Sequence, residues 1–290
     1  MAVRYVLSML MFQLLLTTTT NAVVIAPPAK LVILGPGCPS VQLIAAKKAA
    51  AMGFMPSAVV RDRRNALKLM YGSTDDDVES RAKAAESNAE IGSALTSAEA
   101  CLLIAEAGGE TGIRTTLQFA PALKRLVLLT SIGGSTGNGG ATYMGEGEAI
   151  QRMEAEVQER CASVGVEVSI VRVGVLKGGG PPHGLDAGYY DTLRIGGYPT
   201  PNFACAQSHD QQTLGVSVTA GDTVEPRSAI ARSASKTDVG PKRDEISRIV
   251  AAEAMLSCLR QPEAVHVTLS AEYAEAPPST DEWDGLLCNL

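Results

Sequence analysis

Aromatic side chains make up only 4% of this 290-residue chain, with a single tryptophan, and charged residues only 19%. Few rings leave no platform on which bases could stack. There is no run of lysine and arginine, and the formal net charge is −6. Binding nucleic acid needs clustered cations to displace counterions from phosphates, so the chain reads as a poor nucleic-acid binder and no nucleic-acid partner is expected. It lacks the G-x-x-x-x-G-K-[ST] phosphate loop and the H-E-x-x-H metal helix. Its six cysteines, Cys38, Cys101, Cys161, Cys205, Cys258 and Cys288, are scattered singly, with no C-x-x-C pair of a zinc or redox site. They are read as reduced thiols. His183, His209 and His266 have no metal-ligand neighbour at useful spacing, so no metal site is expected.

Long hydrophobic runs are missing as well. The nearest approach is Tyr5–Leu16, preceded by Arg4 and followed by small polar residues up to Ala22. It is shorter than the roughly 20 residues that cross a bilayer. It matches the n-region, h-region and cleavage site of a signal segment, so residues 1–22 are read as targeting sequence with no transmembrane span. Residues 23–290 remain as one folding unit of ordinary domain size.

Apolar residues, by contrast, are plentiful at 46%, enough for a sizeable core and too many for a disordered chain. They come as short runs. Lys30–Leu34, Ser57–Asp62, Ala100–Ala105, Arg125–Thr130, Val166–Val173, Leu214–Ala220 and Val265–Leu269 predict strands, several apolar on both faces. A weak strand is expected near Arg81–Ala85. Helices are expected at Val41–Met52, stopped by Gly53, and at Ala66–Tyr71, Ala89–Ser97, Thr111–Leu123, Glu148–Val164 and Glu282–Leu287. Ile246–Leu259 is expected as an amphipathic helix. Alternation of buried strands with helices predicts an α/β fold, a doubly wound parallel sheet. The stretch of about 175–245 is rich in Gly and Pro and reads as a long loop or cap on the substrate side.

The turn Gly35-Pro36-Gly37-Cys38-Pro39-Ser40 lies between the first strand and the first helix. Glycines there let a pyrophosphate approach the helix N-terminus, where free N–H groups and the helix dipole favour anions. The third position of G-x-G-x-x-G is serine, and Pro36 and Pro39 remove two donors. At the end of the second strand stand Arg61, Asp62, Arg63 and Arg64. An arginine there suits the 2′-phosphate of NADP through bidentate charge-assisted bonds, whereas an acid suits the free 2′-hydroxyl of NAD. The expected cofactor is therefore NADP, with NAD as the alternative. Gly133-Gly134-Ser135-Thr136-Gly137 matches G-x-S-x-G, but glycine-rich loop follows where a hydrolase elbow needs a helix.

These segments resemble the divergent, atypical short-chain dehydrogenase/reductase family, close to its NmrA-like branch. The resemblance is carried by Leu31–Gly37, Val59–Asp62, Leu126–Ile132, Val168–Gly174 (with Val173 where that family has proline) and Ile246–Ala251. It implies a Rossmann-like domain with a small C-terminal substrate-side region. It also implies a dinucleotide across the carboxyl ends of the strands, held by Gly35, Gly37, Cys38, Ser40, Val41, Arg61, Arg63, Ala105, Ser131, Val173 and Gly174. In active members a serine and a tyrosine hold a substrate carbonyl, and a lysine four residues after the tyrosine lowers its pKa. Ser131 matches the serine and Tyr143 the tyrosine. The residue four further on is Gly147 rather than lysine, and Glu146 sits beside it. Lys177, in the loop after the Val168–Gly174 strand, is the candidate replacement.

Two functions stay open at this point. One is an oxidoreductase acting on a small carbonyl-type substrate. The other is a catalytically inactive nucleotide-binding fold that senses redox state or serves as a subunit of a larger complex. A signal-like segment ahead of a thiol-bearing, dinucleotide-binding domain resembles plastid precursors that travel through the secretory route. A chloroplast is expected, with secretion or the ER lumen as the alternative.

Overall fold

Strand β1 (Lys30–Leu34) sets the frame, because its central residues Leu31, Val32 and Ile33 are buried on both faces, as only an interior strand of a covered sheet can be. The computed structural model describes residues 23–35, 39–64, 66–67, 82–104, 109–132, 146–177, 215–222, 245–272 and 278–290. In chain order, β1 is followed by α1 (Pro39–Ala51), β2 (Met55–Val59), β3 (Lys83–Ala85), α2 (Asn88–Ser97), β4 (Ala100–Ile104) and α3 (Gly109–Phe119). Then come β5 (Arg125–Ser131), α4 (Glu146–Ser163), β6 (Glu167–Val173), β7 (Val175–Lys177), β8 (Gly215–Ala220), β9 (Glu245–Ser247), α5 (Arg248–Arg260), β10 (His266–Glu272) and α6 (Thr280–Cys288).

Eight of the strands form one sheet in the order β3-β2-β1-β4-β5-β6-β10-β8. All neighbours are parallel except β8, which pairs antiparallel with β10 at the edge. The chain runs outward from β1 to β3, then returns to the other side of β1 and runs outward again. The order therefore reverses between β1 and β4, the switch point of a doubly wound sheet. The expected fold class is the one found.

Helices cover both faces. Residues Leu31, Ile33, Leu102, Ile104, Val127, Leu129, Val171 and Val173 share one core with α1, α5 and α6. Val32, Cys101, Leu103, Leu126, Leu128, Val168 and Ile170 share the other with α2, α3 and α4. Alternate residues of each strand thus serve opposite cores. α1 and α5 pack on each other, and the alanines Ala45, Ala46 and Ala49 of α1 and Ala251, Ala252 and Ala254 of α5 are all fully buried. Small side chains let the two helices lie close, and Lys48 pairs with Glu253 across them.

Several expectations need correction. Ile246–Leu259 is not one amphipathic helix: Glu245–Ser247 is a strand pairing with β7, and the helix begins at Arg248 with Ser247 as its N-cap. It is also buried on most of its faces, from Val250 to Leu259 with Glu253 the least enclosed, because the sheet, α1 and α6 all pack on it. The second strand starts earlier and ends earlier than Ser57–Asp62; Pro56, which cannot donate to a ladder, falls before β3 begins to pair at Ser57. The weak third strand keeps only Lys83–Ala85. Gly53 ends α1 as expected, with φ +86°, the left-handed conformation that favours glycine. The N-terminal residues 1–22, His183, His209 and most of the 175–245 stretch lie outside the described residues.

The C-terminal region joins the sheet itself. Register carries Leu34 level with Leu103, then Leu128, Ile170 and His266. β10 therefore starts where β1 ends. The β8–β10 ribbon rises about 10 Å past the end of β6, at the usual strand rise of about 3.3 Å per residue. It flanks the carboxyl edge of the sheet. No helix among the described residues is long and apolar enough to cross a membrane.

Candidate functional site

The turn after β1 lies at the switch point. Pro39 opens α1 at its first helical position, where a missing N–H costs nothing. Val41, in the next part of that turn, is fully buried. Ser40 is helical in its backbone; Gly37 and Cys38 lie outside the described residues. Gly35 does not have a positive φ, so it is not there for left-handed freedom. Its value is closeness: a Cβ built on it would lie 3.5 Å from the Ile104 Cβ at the end of β4 and 3.6 Å from the Gln42 Oε1. The crevice between β1 and β4 thus opens beside bare backbone, at the N-terminus of α1.

Gln42 was not singled out from the sequence. It is buried on α1, and its Nε2 donates to the Ile33 carbonyl at 2.9 Å and the Val59 carbonyl at 2.6 Å. One side chain therefore ties the ends of β1 and β2 to the helix that follows the turn.

Beyond β2 the arginines separate. Arg61 is exposed at the end of the strand. Arg63 donates from Nη1 to Glu90 Oε1 at 2.6 Å, and its backbone N–H donates to Glu86 Oε2 at 3.3 Å. Glu90 is itself the acid of a capping box on α2, accepting at Oε2 from the backbone N–H groups of Ser87 (3.0 Å) and Glu86 (3.1 Å). Those backbone donors, the Ser87 hydroxyl and then the Arg63 charge hold the Glu90 carboxyl down at about 2. Arg63 thus fastens the β3–α2 junction, while Arg61 and Arg64 stay exposed beyond the strand end.

The ends of β5 and β6 lie side by side. Ser131, the last residue of β5, is exposed and pairs in register with Val173, and the Ile132 N–H donates to the Val173 carbonyl at 2.9 Å. Val173 is buried and Gly174 follows half-buried. Lys177 closes β7, whose register partner is Ser247 at the start of α5; its backbone alone is described. Tyr143 and Ala105 lie outside the described residues. The structure therefore brings Gly35, Val41, Arg61, Ser131, Val173 and Gly174 to one edge of the sheet, while Lys177 belongs to a separate two-stranded ribbon.

One residue below that edge is a buried ion pair that the sequence did not mark. Arg172 on β6 donates from Nη2 to Glu154 Oε2 at 2.7 Å and from Nε to Oε1 at 3.2 Å, a two-pronged contact with α4. Both are buried. Burial raises the Glu154 pKa and outweighs Arg172, whose hydrogen bond and charge pull the other way; the Asp222 charge adds to the rise. The Thr130 hydroxyl sits beside this carboxylate, off the line of an ordinary hydrogen bond. His266, read as structural, begins β10 with its Nε2 3.4 Å from Gln158 Nε2.

Among the described cysteines, Cys101, Cys161 and Cys258 are free and buried, and Cys288 is free and exposed. Burial pushes the Cys161 and Cys258 thiols up to about 12 and the Cys101 thiol higher still, so these three stay protonated and inert. Cys38 and Cys205 lie outside the described residues.

No protein-family model matches the chain, and no curated protein matches it. Solved structures do. Vestitone reductase from alfalfa (Medicago sativa) superposes with a TM-score of 0.50 at 11% identity, covering 88% of this chain and 86% of its own. A point variant of SsCR superposes with a TM-score of 0.51 at 13% identity, covering 85% of this chain and 80% of its own. Identity this low speaks for backbone architecture. With the reversed strand order and the glycine turn at the switch point, the chain has the doubly wound Rossmann-type fold, the one implied by its resemblance to the short-chain dehydrogenase/reductase family.

Proposed function

We propose that this protein binds a nicotinamide dinucleotide, NADP in preference to NAD, and is an oxidoreductase of the atypical short-chain dehydrogenase/reductase type acting on a small carbonyl-type substrate. The observation that carries this reading is the crevice at the β1–β4 switch point. There bare backbone at Gly35 abuts Ile104 at the N-terminus of α1, the arrangement that suits a pyrophosphate. The described residues fit the group: Gly35 without a side chain beside the N-terminus of α1, an exposed cation at Arg61 for a 2′-phosphate, and strand ends at Ser131, Val173 and Gly174 for the opposite half.

When bound, the nicotinamide supplies the hydride. The chain's own part is orientation. Ser131, exposed at the strand end, offers its hydroxyl proton to a carbonyl oxygen in the cleft, and donors aimed at developing charge are worth more where water is excluded. In this reading the β8–β10 ribbon, which flanks the carboxyl edge of the sheet, is the substrate side. Tyr143 completes the proton path in this reading, with Lys177 as the cation that lowers its pKa.

A second reading has its own support. The position four after Tyr143 is Gly147, and Lys177 lies on β7 rather than on α4. In this reading the fold binds dinucleotide without turnover and serves as a redox sensor or a subunit of a larger complex. Hydride exchange with a panel of carbonyl compounds separates the two: turnover lost in Ser131→Ala supports the enzyme, and dinucleotide binding without any turnover supports the sensor or subunit. Delivery to a plastid through the secretory route is part of the same proposal. A fluorescent fusion to residues 1–40 tests it, and labelling confined to the secretory pathway refutes it.

A further inference from the structure

A glutamine facing the core of a helix–sheet interface is costly unless its amide is satisfied. Gln42 is 4% exposed, and its amide makes two hydrogen bonds to carbonyls of two neighbouring strands, Ile33 on β1 and Val59 on β2. Each carbonyl lies two residues ahead of a candidate dinucleotide contact. Ile33 precedes Gly35 in the turn, and Val59 precedes Arg61 at the strand end. On its other side the Gln42 amide lies within 3.6–3.7 Å of the space a Cβ on Gly35 would take. The side chain thus stands beside Gly35 and is bonded to the strand that leads to Arg61.

We infer that Gln42 is a positioning residue that holds the Gly35 end of β1 and the Arg61 end of β2 in place against α1, and hence sets the fit of the adenosine half of the dinucleotide. The inference rests on the dinucleotide reading above and deepens it. Two amide hydrogens on two carbonyls leave the head group no rotational freedom, so where the β1–β2 ladder ends at Ile33 and Ala58 one rigid group ties both strand ends to α1. A methionine of similar size fills the volume but supplies no donor, and it leaves two carbonyls to find other partners.

The test is the affinity of folded Gln42→Met for NADPH, for adenosine 2′,5′-bisphosphate (the adenosine half) and for nicotinamide mononucleotide (the other half). It is measured well below the melting temperature of the variant. The expected result is a rise in Kd of about tenfold for NADPH and for the adenosine half, with the mononucleotide unchanged within about twofold. A fall in melting temperature with all three affinities unchanged overturns the inference, because Gln42 would then be structural only. An equal loss for both halves also overturns it. If Gln42→Met does not fold, Gln42→Asn, which keeps an amide but reaches at most one carbonyl, is measured the same way. Weaker binding of the adenosine half supports the inference and wild-type affinity overturns it. If the wild-type protein binds neither NADPH nor NADH, the dinucleotide reading itself falls and takes the inference with it. That outcome is distinct from one in which the wild type binds and the variant binds equally well.

Discussion

Two arginines are buried in the strands of the sheet, and they do different things. Arg125 opens β5 at the amino edge, fully buried, and Arg172 nearly closes β6 at the carboxyl edge. Each pairs with a glutamate. Arg125 shares its charge between Glu167, its register partner on β6, and carbonyls at the end of α5: Cys258 at 3.2 Å, Leu259 at 3.5 Å, Gln261, and Pro262 at 3.4 Å. It is a helix C-cap supplied from the sheet, placing positive charge where the helix dipole is negative. Arg172 by contrast meets one carboxylate, Glu154, with Thr130 and Asp222 close by. The amino edge is thus fastened by one many-partnered cation. The carboxyl edge keeps a tight pair one residue beneath Ser131 and Val173, with the Ser131 side chain exposed above it. A buried ion pair alone does not mark a functional site; its place on the sheet does.

That contrast can be broken at either end. Arg125→Met has the largest expected effect, at the upper end of the about 3–5 kcal/mol lost when one partner of a buried pair is removed, because Glu167 and the α5 carbonyls are left together without a cation. Thermal and denaturant unfolding measure it. The protein that remains folded keeps its dinucleotide affinity, because the change lies at the far edge.

Arg172→Met is expected at the lower end of the same range of about 3–5 kcal/mol, with the Glu154→Leu/Arg172→Met pair recovering most of it. Its pH dependence has a definite sign. Glu154 has a pKa above its unfolded value of 4.5 even with Arg172 present, and loss of the cation raises it further. A raised carboxyl gives stability that is full below the unfolded value and lost as pH rises through the folded one, so the single variant gains stability on acidification relative to wild type. Unfolding curves across pH that show the opposite slope would remove this cluster from the description of the carboxyl edge.

A smaller effect is expected at the β3–α2 junction. The Glu90 carboxyl titrates at about 2 instead of 4.5, so its contribution is present above 4.5 and is lost as pH falls from there toward about 2. Glu90→Gln flattens the acid limb of the stability profile over that window. The smallest effect on stability is Gly35→Ala. A Cβ there meets Ile104 at an ordinary 3.5 Å and φ is not in the left-handed region, so the change stays within about 0.5 kcal/mol. Calorimetric NADPH titration is expected to show the larger consequence, because the methyl group fills the crevice at the switch point.

The sheet was the legible part of the sequence. β1, β4, β5 and β6 are short, nearly unbroken apolar runs, and a run of that kind has few alternatives once glycine or a helix bounds it. The two-stranded β7–β9 ribbon was hidden, because three-residue strands far apart in the chain leave no periodic trace. α5 was misread for a related reason. Glu253 and Arg260 look like a solvent face, yet they pair with Lys48 and Asp284 on helices that only the folded chain brings near. The same holds for Gln42, Arg125 and Arg172. Each stands as a polar residue inside or beside an apolar run, which is the one signal the sequence carried, and the partner that satisfies it lies on another element. Of the candidate site, the glycine turn and the strand ends were legible by order. The separation of Arg61 from Arg63 was not, since it depends on where Glu90 falls.

The most direct measurement is calorimetric titration of residues 23–290 with NADPH and NADH, beside an Arg61→Ala variant. Binding of NADPH tighter than NADH, with the preference lost in the variant, is the expected result. Binding of neither dinucleotide to the folded wild-type protein would contradict the assignment of the β1–β4 crevice as a cofactor site.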